Sequence, residues 1–454
     1  MLSIVILAAG QGTRMRSRAP KVMHLVAGRS LLEHVYIAAS RLRTRRIHVV
    51  YGCGGDQVPK AHPRMDVDWV EQERQLGTGH AVMQVIDKIP PNDTVMVLYG
   101  DVPLITFETL EQLEEASRES GLCLLTCMLE DPHGYGRILR DERGNIRRIV
   151  EEKDATDAER EVCEVNTGML AVRARSLKHW LDNLDTHNSQ GEFYLTDIVQ
   201  MAVAEDVEIN SISADSPMEV HGVNTKSQLA EVERYYQLIQ AHQLMGQGVT
   251  LRDPGRFDMR GDLEVGSDVV IDINVVIEGS VSIGNNVHIG PNCLIRDADI
   301  GDDVHIFANS VIDNAVIGAR SRIGPFSRIR PHTRLSEGVH VGNFVELKNA
   351  EVGEGSKINH LSYVGDTELG RDVNIGAGTI TCNYDGSNKH KTVIGDDVFV
   401  GSGTQLVAPV RVGDGATIGA GTTVTRDVEA GALAISRVEQ RAIKGWKRPG
   451  KKES

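Results

Sequence analysis

The sequence contains few aromatic residues and no long apolar run. Phe, Tyr and Trp make up 4% of the 454 residues, so aliphatic side chains must provide most of the core packing. No stretch approaches the ~20 consecutive apolar residues that a membrane-spanning helix needs. The apolar run within residues 1–10 has no basic segment before it and leads into a Gly-rich turn, which favours a buried strand over a signal peptide. We therefore expect a cytoplasmic protein with no membrane partner.

Cysteine pairs and an excess of positive charge are also absent. No C-x-x-C pair occurs, which argues against a disulfide framework or a structural zinc site and favours a reducing compartment. Lys and Arg number 49 against 63 Asp and Glu, a net charge of −14 that would repel a nucleic acid. The 41% apolar and 25% charged content is that of a globular protein, and the length predicts two or three domains. The six cysteines are Cys53, Cys123, Cys127, Cys163, Cys293 and Cys382.

Short β-branched runs alternate with helical patterns in the first half of the chain. The runs at residues 4–7, 47–51 and 95–99 are separated by segments with the 3.6-residue apolar period of helices, as in an α/β sheet. A further segment, from Lys226 to Gly246, has the apolar spacing of one long helix. The predicted organisation is an α/β domain over residues 1–225 followed by a linker helix over residues 226–247.

Beyond Asp262 the apolar period changes to six. Val, Ile or Leu recurs every sixth residue in triads such as 265, 271 and 277, and nine triads follow one another up to residue 424. Apart from one interruption, successive triads begin 17 or 18 residues apart, and Thr381 is the polar member of its triad. This hexapeptide repeat winds into a three-sided parallel β-helix with an aliphatic interior. We predict such a β-helix, with a basic C-terminal tail, within residues 248–454.

The interruption lies between Thr381 and Ile394. The gap is 13 residues where six would suffice, so part of the segment 382–392 must leave the β-helix as a loop. Loops that project from a rigid scaffold often hold binding residues. A tolerated surface insertion is the alternative interpretation.

A glycine-rich motif follows the first apolar run. Gly10 and Gly12 allow the backbone to approach a phosphate closely, and Arg14 and Lys21 carry charge that can neutralise it. The spacing lacks the third glycine of a dinucleotide fingerprint, and it contains no Gly-Lys-Ser/Thr of a P-loop. Asp101 ends another apolar run, where it can either hold a Mg²⁺ ion that bridges phosphates or cap a turn. The pattern indicates a nucleotide site of a different kind.

Two motifs resemble those of sugar-nucleotide pyrophosphorylases. They are residues 7–14 (LAAGQGTR) with Pro20-Lys21, and residues 75–81 (QLGTGHA). Together with the hexapeptide repeat, they make essentially the whole chain similar to the family of bacterial bifunctional N-acetylglucosamine-1-phosphate uridyltransferases and glucosamine-1-phosphate acetyltransferases. The resemblance implies a Rossmann-like α/β nucleotidyltransferase domain, a long connecting helix and a left-handed parallel β-helix that assembles as a homotrimer. It also implies synthesis of UDP-N-acetylglucosamine from glucosamine 1-phosphate, acetyl-CoA and UTP.

The resemblance assigns roles in the first half of the chain. Arg14 and Lys21 would neutralise charge during uridylyl transfer, and Asp101 and Asn224 would hold Mg²⁺. The attacking sugar phosphate is already an anion, so no covalent nucleophile or strong general base is expected here. The residues expected to bind UTP or UDP-N-acetylglucosamine are Leu7, Ala8, Ala9, Gly10, Lys21, Gln72, Gly77, Thr78, Tyr99, Asp101, Gly136, Glu151, Asn166 and Asn224.

In the second half the resemblance assigns acetyl transfer. His360 would accept the proton that leaves the amine of glucosamine 1-phosphate. The expected binding residues are Arg330, Lys348, Tyr363 and Asn374 for glucosamine 1-phosphate, completed by Lys389, and Ala377, Asn383, Tyr384, Ser402, Ala420 and Arg437 for acetyl-CoA.

Two positions depart from the family pattern, and three other functions stay open. His221 stands where an acidic residue is common, and His390 stands where an aromatic residue is common. The nearest alternative is a nucleotidyltransferase with a single activity, whose β-helix serves assembly or regulation. A β-helix carbonic anhydrase would bind zinc through histidines such as His288 and His305, which lie 17 residues apart. The remaining alternative is a scaffold without activity.

Overall fold

The structure of the protein is a computed structural model, and it describes residues 1–10, 12–52, 56–436 and 439–448. The chain divides into two compact units, residues 1–236 and residues 237–454. The division falls within the segment predicted as a linker helix.

The first unit alternates strands and helices along the chain. Its strands are β1 (Leu2–Ala8), β2 (Leu25–Val26), β3 (Arg29–Ser30), β4 (Thr44–Gly52), β5 (Asp68–Gln72), β6 (Thr94–Tyr99), β7 (Leu122–Met128), β8 (Gly136–Arg140), β9 (Ile146–Val150), β10 (Glu164–Arg173) and β11 (Ile209–Ser213). Its helices are α1 (Leu31–Ser40), α2 (Gln57–Ala61), α3 (Thr78–Ile86), α4 (Phe107–Glu119), α5 (Asp157–Arg160), α6 (Ala174–Leu181) and α7 (Ile198–Ala204), with 3-10 turns at Thr13–Met15, Lys21–Met23 and Leu195–Asp197. The three strands predicted from β-branched runs lie within β1, β4 and β6.

A mixed nine-stranded sheet forms the centre of this unit. The strand order is β11-β7-β10-β6-β1-β4-β5, and the β8–β9 hairpin extends from β10. β1 lies between β4 and β6 and is parallel to both, whereas β10 is antiparallel to β6 and β7. Every residue of β1 is buried, because apolar clusters cover both faces of the sheet. The carboxyl ends of β1, β4 and β6 therefore meet at one edge, where ligand sites of such sheets form.

Ser30 is the N-cap residue of helix α1. The Ser30 hydroxyl accepts a hydrogen bond from the Glu33 N–H at 3.1 Å, and the Glu33 carboxylate accepts one from the Ser30 N–H at 3.2 Å. This reciprocal pair satisfies two of the N–H groups that a helix start leaves without helical partners. Leu32 of this helix belongs to the same apolar cluster as Ile4 of β1, the strand that precedes the glycine-rich motif.

The long helix α8 (Lys226–Gly246) has the bounds that its apolar spacing predicts. Within the second unit, the fully buried Gln237 of α8 bonds the backbone of Met259, its amide donating to the carbonyl at 2.8 Å and its oxygen accepting from the N–H at 2.7 Å. No helix in the described ranges is long and apolar enough to cross a membrane.

The second unit is a left-handed parallel β-helix. Its strands are β12 (Thr250–Leu251), β13 (Phe257–Val265), β14 (Val270–Ile271), β15 (Val275–Ile283), β16 (His288–Ile289), β17 (Leu294–Ile300), β18 (His305–Ile306), β19 (Val311–Ile317), β20 (Arg322–Ile323), β21 (Arg328–Ile329), β22 (Thr333–Leu335), β23 (His340–Asn343), β24 (Glu346–Val352), β25 (Lys357–His360), β26 (Tyr363–Leu369), β27 (Asn374–Ile375), β28 (Ile380–Cys382), β29 (Thr392–Ile394), β30 (Phe399–Val400), β31 (Gln405–Val407), β32 (Val410–Val412), β33 (Thr417–Ile418), β34 (Thr423–Val424) and β35 (Leu433–Ala434).

The interior of the β-helix consists of the predicted six-residue triads. Each predicted position from Ile271 to Val424 is at most 5% exposed, and only Val265, the first, is partly exposed. Equivalent strands pair in parallel on successive coils, so each aliphatic residue packs on its counterparts above and below. The sheet that begins with β12 and ends with β35 extends one strand beyond the nine predicted coils at each end. The first of these coils escapes the pattern because Leu251 and Met259, which pair with Ile271 and Ile277, lie eight residues apart. The last escapes it because position 440, six residues after Ala434, is Gln.

One corner of the β-helix is built from residues with left-handed backbone conformation. Gly279, Asp297, Asn314, Asn349 and Asp366 stand on the same corner of different coils, with φ between 45° and 71°. Asn and Asp accept this conformation more readily than other residues with a side chain. Their side chains project outwards from the corner, where they become available for polar contacts.

Thr381 replaces an aliphatic residue in the interior, and its hydroxyl is fully used. It accepts a hydrogen bond from the Gly365 N–H at 2.7 Å and donates to the Gly365 carbonyl at 3.1 Å. Thr333 is equally buried, but its hydroxyl has no hydrogen-bond partner among the described residues. These two threonines offer a matched comparison.

We expect Thr381→Val to lower the free energy of unfolding by about 1–3 kcal/mol, because it leaves a buried N–H without a partner. Thr333→Val removes an unpaired hydroxyl and should leave the stability unchanged or raise it by up to about 1 kcal/mol. Urea unfolding of the full chain, followed by far-UV circular dichroism, measures both. Equal destabilisation by the two substitutions would contradict this interpretation.

Candidate functional sites

The first unit has a cavity of about 450 Å³ at the carboxyl edge of its sheet. The loops after β1 and β6 and the segment from Gln72 to Ala81 surround it. Ten of the residues predicted to bind UTP line this cavity, among them Gly10, Gln72 and Thr78. The complete lining is Leu7, Ala8, Ala9, Gly10, Lys21, Val22, Gln72, Gln75, Gly77, Thr78, Ala81, Tyr99, Asp101 and Glu192.

Lys21 joins the two predicted metal ligands at the mouth of this cavity. Its ammonium forms an ion pair with Asp101 and donates to the Asn224 side-chain oxygen at 2.9 Å. Arg14 donates to the same Asn224 oxygen at 3.0 Å. The side chains of Lys21 and Asp101 are each only 13% exposed, whereas Asn224 is half-buried and Arg14 is exposed, so the four predicted residues form one polar cluster that extends from the cavity to the surface.

The residues predicted to bind the amino sugar also lie together. Gly136 pairs with Asn166 between β8 and β10, and a Cβ built on Gly136 would stand 3.4 Å from a Glu151 oxygen. A side chain at Gly136 would therefore crowd Ile149, whose Cγ2 would lie 3.1 Å from that Cβ, and would contact the Glu151 carboxylate. Tyr99 connects this group to the cavity, since burial, Glu151 and Asp101 all raise the pKa of its hydroxyl.

Several acidic side chains lie close to Glu151. Thr196 donates a hydrogen bond to a Glu151 oxygen at 3.1 Å, and burial raises the pKa of Glu151 in spite of that bond. Burial, reinforced by Asp185, Glu151 and Asp154, raises the pKa of the neighbouring Asp197 to about 6. Asp197 therefore carries a full charge only above that pH.

In the second unit, basic side chains converge beside Asp366. Lys348 donates to the Asp366 carboxylate at 3.1 Å, and the neighbouring Lys348 and Arg330 lower the pKa of the Lys389 ammonium. Burial would raise the pKa of Asp366, but hydrogen bonds from Asn349, Lys348 and Asn383 outweigh it and lower the value. Arg330 also contacts Glu346, with 2.7 Å between nitrogen and oxygen. Three cations that face two carboxylates can take up a phosphate dianion.

His360 is exposed and is oriented by a residue one coil away. Its Nδ1 lies 2.8 Å from the Asn343 side-chain oxygen, and the two residues pair in register between β23 and β25. Since the amide oxygen can only accept, the neutral form of the His360 ring carries its proton on Nδ1 and leaves Nε2 unprotonated. This is the tautomer that a general base requires.

Three of the predicted acetyl-CoA residues continue a column from His360 over successive coils. The Gly378 N–H bonds the His360 carbonyl at 3.3 Å, the Gly403 N–H bonds the Ala377 carbonyl at 2.8 Å, and the Gly421 N–H bonds the Ser402 carbonyl at 2.8 Å. Ala377, Ser402 and Ala420 therefore lie above one another at a single corner. We call His360, Ala377, Ser402 and Ala420 the corner column.

The residues inserted between β28 and β29 form the predicted loop. Asn383, 8% exposed, donates to the Asp366 carboxylate and to the Tyr363 hydroxyl, which lies 3.4 Å away. Hydrogen bonds from the Asn388 N–H, the His390 ring and the Ser387 N–H hold the pKa of Asp385 far below its usual range. His390 bonds Asp385 at 2.7 Å, so in place of an aromatic residue it closes this turn.

The remaining predicted residues lie outside the groups described above. Asn374 lies on β27, next to Lys357 of the preceding coil, and Tyr384 is 61% exposed on the loop. Arg437 lies outside the described residues. His221 has a buried Nε2 without a hydrogen-bond partner among the described residues.

Sequence reasoning missed Asn343 and Asp366. Each lies 17 residues from a residue of the predicted site, Asn343 before His360 and Asp366 before Asn383. The coil length was therefore the signal that could have found both. His288 and His305 also lie one coil apart, and their rings stack with centroids 4.8 Å apart and planes at 17°, which is the result expected for any equivalent pair.

The chain matches three family models. Residues 4–159 match the MobA-like NTP transferase domain, residues 259–352 the GMPPB C-terminal domain, and residues 391–426 the bacterial transferase hexapeptide (six repeats). Proteins named "Bifunctional protein GlmU" are similar over nearly their whole length. The protein from Methylococcus capsulatus is 58% identical over 98% of this chain and 97% of its own. Those from Marinobacter nauticus and Pseudomonas putida (strain GB-1) are 56% and 55% identical, each over 99% of both chains.

Fold, sites and matches define a nucleotidyltransferase joined to a hexapeptide-repeat transferase. The chain belongs to the GlmU family of bifunctional proteins. The predicted fold class and the predicted bifunctional transferase function are thereby confirmed. The roles of individual residues stay predictions.

The raised pKa of Asp197 predicts a pH-dependent stability change. An unfolded Asp titrates near 3.9, whereas folding raises the pKa of Asp197 to about 6. The cost of its charge is therefore absent below about pH 4, grows as the pH rises, and is complete above about pH 6. Asp197→Asn should raise the melting temperature by about 2–4 °C at about pH 7.5, corresponding to ~1 kcal/mol for a partly exposed group.

The gain should shrink towards about pH 5, where Asp197 is mostly protonated in the folded protein. Calorimetric scans at the two pH values measure it, and Glu142→Gln on an exposed turn is the matched control. A gain that is equal at both pH values would contradict the assignment.

Proposed function

We propose that this protein makes UDP-N-acetylglucosamine in two steps. The β-helix, within residues 248–454, transfers an acetyl group from acetyl-CoA to glucosamine 1-phosphate. The α/β domain, residues 1–225, then transfers uridylyl from UTP to N-acetylglucosamine 1-phosphate and releases pyrophosphate. The observation that carries the proposal is that each unit has its own site with converging cations, around Lys21 in the first and around Lys348 in the second. UTP and acetyl-CoA are cytoplasmic metabolites, so we place both reactions in the cytoplasm.

Uridylyl transfer depends on positioning and charge neutralisation. An oxygen of the sugar phosphate attacks the α-phosphorus of UTP, and the bond to pyrophosphate breaks. Lys21 and Arg14 neutralise charge that accumulates on the phosphates, while Glu151 and Asn166 hold the sugar. The attacking oxygen is already ionised, so none of these residues needs to remove a proton.

Asp101 and Asn224 fit a Mg²⁺ ion. Their side-chain oxygens both contact the Lys21 ammonium, so the two oxygens converge on one position for a cation. Mg²⁺ takes oxygen ligands and is often held by one or two protein groups together with phosphates and water. When bound, the ion would neutralise charge on the triphosphate.

Acetyl transfer uses the orientation of His360. The Asn343 amide holds the ring so that Nε2 can accept a proton from the ammonium of glucosamine 1-phosphate. The neutral amine then attacks the thioester carbonyl, the carbon–sulfur bond breaks, and the second proton of the amine passes to the departing sulfur, so that CoA leaves as the thiol. Lys348, Lys389 and Arg330 bind the sugar phosphate, and the corner column supports the extended acetyl-CoA.

We further propose that the protein acts as a homotrimer through its β-helix. Phe326 and Phe344 stack with centroids 5.3 Å apart and are 50% and 55% exposed, and Leu361 beside His360 is 63% exposed. Such a continuous apolar surface on a soluble fold indicates a protein interface. A second copy that covers these residues would also cover His360 and complete the acetyl-transfer site.

The direct test is to incubate the protein with glucosamine 1-phosphate, acetyl-CoA, UTP and Mg²⁺ and to identify products by mass spectrometry. We expect UDP-N-acetylglucosamine, and none when any substrate is omitted. A product formed only from supplied N-acetylglucosamine 1-phosphate would instead favour the single-activity alternative, in which the β-helix serves assembly.

We expect His360→Ala to lower the rate of acetyl transfer by about 10²–10⁴-fold, since it removes the general base. Uridylyl transfer from supplied N-acetylglucosamine 1-phosphate should stay unchanged. Thiol release from acetyl-CoA measures the first reaction, and His340→Ala, one coil away, is the control. Loss of both reactions would contradict the separation of the two sites.

We expect Asp101→Ala to give the opposite result. The change removes a carboxylate that contacts Lys21 and is proposed to hold Mg²⁺, so uridylyl transfer should fall more than about 10²-fold. Pyrophosphate release measures that step, and acetyl transfer should be unaffected. Glu111→Ala, on the exposed face of α4, should behave as the unaltered protein in both assays.

A further inference from the structure

Two neighbouring groups contact the amide nitrogen of the Gln72 side chain. Gln72 ends β5, is 2% exposed, and lines the cavity of the first unit. Its amide nitrogen donates to the Gly77 carbonyl at 3.2 Å and lies 2.9 Å from Nδ1 of His80. The Gly77 carbonyl can only accept, so the NH₂ end of the amide must face this pair. The Gln72 oxygen has no hydrogen bond within the described part of the chain, and it is left for a ligand in the cavity.

His80 is in the state that this arrangement needs. Burial lowers the pKa of His80, and a hydrogen bond with the Arg74 backbone offsets this only in part, so the ring is neutral at pH 7. Because Nδ1 accepts from Gln72, the single ring proton lies on Nε2. The Gln84 amide nitrogen, 3.3 Å from Nε2, donates to the His80 carbonyl at 3.1 Å. The ring also stacks on Phe193, with centroids 6.3 Å apart and planes at 26°. Packing therefore keeps Nδ1 aimed at the amide.

We propose that His80 is a positioning residue that makes the uridylyl site select uracil over cytosine, an inference that rests on the proposed function. A reversed amide would place the Gln72 oxygen against two acceptors, the Gly77 carbonyl and the His80 Nδ1, so the oxygen is kept towards the cavity. An acceptor at that point matches the N3–H of uracil. Cytosine has an unprotonated N3, which would meet the Gln72 oxygen with a second lone pair.

Replacing His80 by a residue without an acceptor should weaken the orientation of the Gln72 amide and, with it, the selection of uracil over cytosine. One N–H of the Gln72 amide would then lack a partner, and only the longer bond to Gly77 would oppose reversal. A net hydrogen bond contributes about 0.5–1.5 kcal/mol, which corresponds to a change of roughly 2–10-fold in selection. Asn at this position can place its own side-chain oxygen near the site of Nδ1, so it should retain the acceptor.

The experiment compares His80→Leu with His80→Asn in the full-length protein. Steady-state constants for UTP and CTP are measured with N-acetylglucosamine 1-phosphate, and calorimetry confirms folding. For His80→Leu we expect the KM for UTP to rise about 5–10-fold with kcat nearly unchanged, and the preference for UTP over CTP to fall by a similar factor. His80→Asn should stay within about twofold of the unaltered protein in both respects. His80→Ala replaces the leucine variant if that variant does not fold.

Three outcomes would overturn the proposal. The first is a UTP-to-CTP preference that survives His80→Leu and His80→Ala, and the second is an equal loss with both nucleotides, which indicates only a structural role. The third is equal turnover of UTP and N3-methyl-UTP by the unaltered protein, since the Gln72 oxygen would then not read the N3–H. If the unaltered protein used neither UTP nor CTP, the proposed uridylyl transfer itself would fail, a result distinct from the other three.

Discussion

The register between coils is the constraint on which the second unit depends. Parallel pairing on each face holds equivalent residues about 4.8 Å apart along the axis, and the buried aliphatic columns prevent a coil from slipping. Asn343 can therefore orient His360, and Ala377, Ser402 and Ala420 can follow it, although they are distant in sequence. The longer segment before Ser402 keeps this register because its extra residues leave at a corner, where Asp385 closes their turn.

The first unit reaches a comparable convergence by a different route. Its parallel strands end at one edge, so loops from distant parts of the chain meet there. Arg14 and Asn224 are separated by 210 residues yet bond directly, with Lys21 between Asn224 and Asp101. The buried β1 and its two parallel neighbours provide the rigid support. In both units an ordinary apolar core determines where a few polar groups are placed, and those groups determine the chemistry.

The sequence predicts the apolar features of the structure better than its polar contacts. The six-residue period identifies interior positions from Ile271 to Val424, and the bounds of α8 follow from its spacing, because burial leaves a periodic trace. Outward contacts such as Asn343 with His360 leave no periodic trace of burial, and only the 17-residue coil length relates the two positions. The amide orientation of Gln72 is even less accessible, because it depends on the Gly77 carbonyl and on the tautomer of His80.

The corner column also has a consequence for how such a site can change during evolution. Its members belong to separate coils, so the distance from His360 to Ala420 can grow or shrink only by whole turns of the β-helix. Point substitutions can alter the chemistry at one coil, but they cannot change the spacing of the residues along the corner column. Under the proposed binding of acetyl-CoA along the corner column, gain or loss of a complete repeat would change the length of acyl donor that the column accommodates, in steps of about 4.8 Å.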